Sequence, residues 1–226
     1  MKTVFALILV SSLVMLQTAC QSTSIVSDDF NDAVDEGDFK TADRTSIIFL
    51  VDGLSKTALD QAYQSGKISR ISGYFPMPKG NFRLARATFP SLTFPNITSI
   101  LTGESISTHP ITGNKIVVGD DEVDFENVTS WPVLGRLVKE RSIFYRLGEN
   151  KESSVSFSYS FPRGATVHLE KNVDAGVYYT EGNYAAIDSN VIANLEGLLE
   201  QKSWPRFIFV HLIGVDALSH KHGPED

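Results

Sequence analysis

A layered α/β fold, with a largely parallel central sheet flanked by helices, is the architecture this sequence predicts. Two continuous apolar runs of strand length, Ser46 to Val51 and Arg206 to Ile213, suit strands buried on both faces. Between them, short apolar runs alternate with stretches of helical periodicity, the pattern of layered α/β proteins. Composition agrees: 42% apolar and 21% charged residues match packed globular chains and exclude wholesale disorder.

The elements follow in order. Ser46 to Val51 reads as a strand covered on both faces. Lys56 to Ser65 reads as a helix closed by Gly66. Phe82 to Thr88 alternates polar and apolar residues and is expected to form a second strand. Pro95 to Thr102 is expected as a helix, with Pro at its start and Gly103 just past its end. Trp131 to Glu140 is a further helix with Ser130 as its cap. Ser142 to Arg146 and Ser153 to Tyr159 are expected as strands. Asn183 to Gln201 carries the longest helical pattern, with Ile187, Val191, Leu195, Leu198 and Leu199 on one side. Arg206 to Ile213 closes the series as the second long apolar strand.

Residues 1–19 read as an address rather than as part of the fold. Lys2 precedes an apolar run from Val4 to Leu16, broken only by Ser11 and Ser12, and small residues lead to Cys20. That is the layout of a secretory signal peptide, and its apolar core is too short for a membrane span. Cys20 sits where bacterial lipoproteins carry the acylated thiol. The expectation is export to the periplasm of a bacterium, with membrane anchoring through Cys20 if it is lipidated. Residues 20–43 then form an acidic tether, and residues 44–226 the folded domain.

Charge narrows the function classes. The chain carries a net charge of -7, which argues against a nucleic acid polymer as partner, since such binding needs a basic face. The acidity is concentrated in the tether: Asp28, Asp29, Asp32, Asp35, Glu36, Asp38 and Asp43 stand against Lys40 alone. The single cysteine excludes a disulfide framework within the chain.

Three segments carry chemistry. Asp52 follows the first apolar strand directly, and Gly53 lets the chain turn there. Strand carboxyl ends are where ligands bind in open α/β sheets. Thr93 lies just ahead of the helix containing Pro95, where a hydroxyl neighbours free N–H groups suited to a phosphate oxygen, and where it also suits an N-cap. Asp216 and His220 are four apart after the second long strand, so one helical turn brings both to one side. A carboxylate and an imidazole suit zinc or a similar divalent ion. His222 points elsewhere under that geometry. His211, within the strand, is expected to be a satisfied sheet histidine, and Phe94 to pack its helix or line an aryl slot.

Taken together, these segments resemble the type I phosphodiesterase/nucleotide pyrophosphatase family of the alkaline phosphatase superfamily. The resemblance rests on Asp52, on Thr93-Phe94-Pro95-Asn96 running into Thr102-Gly103, and on Asp216, His220, Gly223 and Pro224. A His-Gly-Ile-x-x-Asn stretch of the family appears as His109-Pro110-Ile111-Thr112-Gly113-Asn114, with Pro in place of the Gly. The resemblance implies an alkaline-phosphatase-like fold and two divalent metal ions, taken as zinc. It further implies Thr93 as nucleophile on phosphorus, held by the metal that Asp52 ligates. Asp216 and His220 would ligate the second metal, and Asn114 would donate to a phosphate oxygen of a small-molecule phosphate ester.

The family adds an Asp-His pair and one more His from later in its chain, and no Asp-His dipeptide occurs here. The expectation is therefore a truncated domain with its C-terminal part absent, which needs the missing C-terminal metal ligands and is inactive alone, with sheet edges exposed. Two rival readings stand beside it. The run from His211 to Pro224 also resembles phosphoethanolamine-type transferases, and a non-catalytic surface lipoprotein would keep the fold without the activity.

Overall fold

The computed structural model describes residues 42–69, 85–138, 141–161, 164–169 and 181–223. The expected leader, Cys20 and nearly all of the acidic tether lie outside these residues, as does Pro224. The elements are β1 (Ser46–Val51), α1 (Lys56–Gln64), α2 (Thr93–Thr102), β2 (Lys115–Val118), β3 (Asp121–Asp124), α3 (Trp131–Val138), α4 (Ile143–Glu149), β4 (Ser154–Phe157), β5 (Val167–His168), α5 (Tyr184–Leu199), β6 (Phe207–Leu212) and α6 (Gly214–His222).

Four strands form one parallel sheet in the order β1-β6-β4-β5, and β2 and β3 form a separate antiparallel hairpin. Residues on β6 alternate between the two faces, as strand geometry requires. Ile208 and Val210 join Val155 and Phe157 of β4 beneath Ile187, Val191, Leu195 and Leu198 of α5. Phe207 and Phe209 face the other way, into a cluster with Phe94, Ile97 and Leu101 of α2, Leu134 of α3 and Phe144 of α4. The sheet is thus sandwiched between helical layers, and β6 is buried on both faces as expected.

The expectation of cover on both faces fails for β1. It pairs only with β6, and among the described residues no strand lies along its other edge. Ile47, Ile48 and Phe49 are exposed, Phe49 by 53%. An apolar run records the tendency to be buried, and its sequence does not say what buries it.

Several boundaries and one element type also differ. Ser142 to Arg146 is helical, because Ser142 caps α4 by accepting the N–H of Tyr145 at 3.4 Å. Phe144 and Leu147, three apart, then face the core together. α2 begins at Thr93, two residues before the expected start. Pro95 still falls in the first turn, where its missing N–H costs nothing. Ser130 ends a 3-10 turn, Val128–Ser130, that leads into α3. The helix there is described as far as Val138, and residues 139–140 lie outside the described residues. Of the strand expected over Phe82 to Thr88, residues 82–84 lie outside the described residues and 85–88 form no regular element. The hairpin was not anticipated. Its strands have four residues each, joined through Gly119 at φ 67°.

The aromatic layer under the sheet sets the stability of the domain. Phe209 is fully buried, with Phe144 edge-on at 6.3 Å between ring centroids. Phe209→Ala is expected to cost about 3–5 kcal/mol in urea unfolding, and a loss below about 1 kcal/mol would mean that this layer is not a cooperative core.

Candidate active site

The parallel pairing of β1 and β6 places Val51 opposite Leu212, so both strands end at one level. Asp52 leaves the end of β1 and α6 starts just past the end of β6. The backbone N–H of Asp52 donates to Leu212 O at 2.9 Å. Gly53 has φ 69°, and a Cβ built there would lie 2.5 Å from Asp216 Cα. Only glycine allows both the turn and this contact. The close approach brings the Asp52 and Asp216 carboxylates to the wall of one cleft.

Opposite them stands the N-terminus of α2. Thr93 is the first helical residue, with Leu92 in the cap position, so Thr93 does not serve as the N-cap. Among the described residues its hydroxyl has no hydrogen-bond partner. Asn96 holds the approach to it. Its Nδ2 donates to Leu92 O and Pro90 O at 2.8 and 3.1 Å, and its Oδ1 accepts from the N–H and hydroxyl of Thr88 at 2.8 and 2.9 Å. Asn114 lies beside Thr93: its Oδ1 accepts the N–H of Phe94 at 3.3 Å, and its Nδ2 donates to Glu126 at 3.2 Å. The loop before it is pinned to α2 by buried His109, whose Nε2 meets Ser99 Oγ at 3.0 Å while Nδ1 accepts Ile111 N–H at 3.2 Å. Burial holds the His109 pKa below its ordinary value.

Asp216 and His220 share a side of α6, with Nε2 and Oδ2 3.6 Å apart, as their spacing predicts. His222 does not line the cleft. The cleft has a volume of about 240 Å³ and gathers Asp52, Thr93, Asn114, Asp216 and His220, all of the described residues for which the motifs imply a role. Sequence reasoning missed two others. His211 is buried as expected, yet its Nε2 has no hydrogen-bond partner and stands 3.6 Å from Asp52 Oδ2. Its signal was a lone polar residue in an otherwise apolar strand. Glu126 lines the cleft through its contact with Asn114, from an acidic hairpin that carried no motif. Phe94 packs against Phe125 at 5.5 Å between ring centroids, as expected, and also lines the cleft.

Electrostatically the cleft is set for a cation. Burial raises the Asp216 pKa, and the negative charge of Asp52 raises it further against the opposing pull of His220 and His211. Among the described residues no three His, Cys, Asp or Glu side chains converge on one point. Asp52 faces His211 and Asp216 faces His220, each at 3.6 Å. Carboxylate, imidazole and hydroxyl donors fit a divalent ion such as zinc chemically, and a bound cation would relieve the repulsion between the carboxylates.

A family model for type I phosphodiesterase / nucleotide pyrophosphatase matches residues 46–226, taking in the whole sheet and every segment of the cleft. The chain belongs to this family, with the alkaline-phosphatase-like α/β fold that the motifs implied. The family is one of phosphodiesterase/pyrophosphatase-type hydrolases and is typically metal-dependent. No curated protein matches the chain.

A folded-state pKa raised above the ordinary 3.8 means that Asp216 favours folding fully below that value. The contribution is lost as pH rises through the raised pKa. Metal-free Asp216→Asn is therefore expected to melt above the parent protein at pH 7 in calorimetry with chelator present. The gap should close as the pH falls towards 4, and a lower melting point for the variant at pH 7 would contradict this electrostatic account.

Proposed function

We propose that this domain hydrolyses phosphodiester or pyrophosphate bonds in a small-molecule phosphate ester, with Thr93 as the nucleophile. The observation that carries the proposal is the free Thr93 hydroxyl at the N-terminus of α2, in one cleft with Asp52, Asn114, Asp216 and His220. The positive end of the helix favours a phosphate oxygen there.

The Thr93 hydroxyl gives its proton to water as its oxygen attacks phosphorus, forming an O–P bond while the P–O bond to the leaving group breaks. The departing oxygen takes a proton from water. Water then cleaves the phospho-threonine and restores the hydroxyl. Asn114 is placed to donate from Nδ2 to a non-bridging oxygen, and the Phe94 N–H accepted by its Oδ1 fixes the amide orientation. Asp52 and Thr93 would hold one divalent ion, and Asp216 and His220 a second, with zinc the proposed identity. Such ions, when bound, would lower the pKa of the threonine hydroxyl and neutralise charge developing on the phosphoryl oxygens.

Hydrolysis of bis-p-nitrophenyl phosphate with added zinc tests the reading. Turnover is expected to stop with chelator and to fall roughly a thousandfold or more in Thr93→Ala. Turnover that survives the substitution removes Thr93 as nucleophile. No turnover with any divalent ion would fit either the expectation that the domain is inactive without further metal ligands or the non-catalytic reading.

We also propose that residues 1–19 export the protein to the periplasm and that Cys20 anchors it to a membrane by a lipid. The support is the layout of the leader and the position of the only cysteine. Metabolic labelling with palmitate is expected to mark the parent protein and to fail in Cys20→Ser. Equal labelling of the two would exclude Cys20 as the acylated residue.

A further inference from the structure

We infer that His211 is a positioning residue, its Nε2–H aimed at the Asp52 carboxylate so as to fix the orientation in which Asp52 meets a cation. The inference rests on the site reading above, but it concerns a residue to which the motifs give no role. His211 lies on β6 opposite Leu50 of β1, so its ring reaches across to the end of the neighbouring strand. It is 5% exposed. Its Nδ1 lies 3.2 Å from Ser158 Oγ, and its Nε2 lies 3.6 Å from Asp52 Oδ2 with no hydrogen-bond partner among the described residues.

Proton accounting sets the direction of the ring. Ser158 Oγ already accepts the N–H of Phe161 at 3.3 Å. A hydroxyl that accepts there still has its own proton to give, and the His211 Nδ1 lone pair is within its reach. When Ser158 donates to Nδ1, the imidazole proton sits on Nε2. The charges agree, because a lone pair on Nε2 would face the lone pairs of Asp52 Oδ2, whereas an N–H is attracted to them. At 3.6 Å the contact is longer than a hydrogen bond, and a shift of a few tenths of an ångström in ring or carboxylate closes it.

The other Asp52 oxygen is held from a different direction, since Oδ1 accepts the N–H of Gly53 at 3.1 Å. Asp52 is thus gripped through Oδ1 by its own turn and faced at Oδ2 by the adjacent strand. Outer donors of this kind orient ligating side chains, and their loss typically weakens metal binding roughly 10–100-fold.

Two measurements test the inference. In histidine-labelled, metal-free protein, nitrogen–proton correlation spectra are expected to show His211 protonated at Nε2. Asp52→Asn should shift that Nε2–H resonance, and Ser158→Ala should admit the other tautomer. A proton on Nδ1 in the parent protein, or an Nε2–H signal indifferent to Asp52→Asn, would overturn the inference. Zinc affinity, by competition with a chromophoric chelator, is expected to fall roughly 10–100-fold in His211→Phe, which keeps a ring of similar size. Ser158→Ala, which leaves the imidazole in place, should weaken binding less. Equal affinity in parent and His211→Phe, including no binding by either, counts against the positioning role. Neither measurement uses phosphoester turnover, so failure of the hydrolase reading and failure of this one are separable.

Discussion

The pairing of β1 with β6 is the constraint on which the cleft depends. Because the two strands are parallel and in register from Ser46 with Phe207 to Val51 with Leu212, their carboxyl ends finish together. Two acidic residues separated by more than 160 positions then emerge on the same side of the sheet. The last few ångströms are closed by glycine. Gly53 lays the turn after β1 directly against the first turn of α6. Gly214 makes room for Asp188, whose carboxylate accepts the N–H groups of Ile213 and Gly214 at 2.9 to 3.2 Å and so secures the start of α6. A register slip of one residue would turn these side chains to the opposite face.

The price of this convergence is electrostatic. Asp52, Asp216 and, further in, Asp188 gather around His211. The pKa values of Asp188 and Asp216 are both raised, burial being the larger cause in each. Repulsion from a neighbouring acid adds to burial at Asp216, through Asp52, but not at Asp188. Across the cleft the demands differ. Thr93 is left free, while Asn96 and His109 tie down the segments on either side of it. The segments flanking Thr93 are held by these side-chain hydrogen bonds, and among the described residues its own hydroxyl has no partner.

Much of this was readable from residues alone, for definite physical reasons. β6, α5 and the Asp216–His220 pair were visible because apolar runs and four-residue spacing map directly onto geometry. The convergence of Asp52, Thr93 and Asn114 was visible only through the combination of motifs, since each position has an ordinary structural use. The rest depended on tertiary context. α4 was taken as a strand because five residues cannot distinguish the two periods, and the cap at Ser142 decides the matter in three dimensions. The hairpin just before Glu126 pairs an apolar strand, Lys115–Val118, with an acidic one, Asp121–Asp124, and four residues each are too few for a period to show. His211 reads as any core histidine until the surroundings of each ring nitrogen are placed, and β1 reads like β6, although among the described residues no strand covers its other edge.

Trp131 gives the cleft a consequence of another kind. Its indole lines the cavity, with Nε1 donating to Phe125 O at 2.9 Å, so the ring is held in place at the cavity wall. The other tryptophan, Trp204, lies in the segment before β6 and is 38% exposed, outside the cleft. The two indoles therefore sit in unlike surroundings, one in a cleft whose polarity changes with its contents and one facing bulk water. The more shielded indole, Trp131, is thus the one whose emission a change in the cleft's contents would shift, with Trp204 as an internal reference.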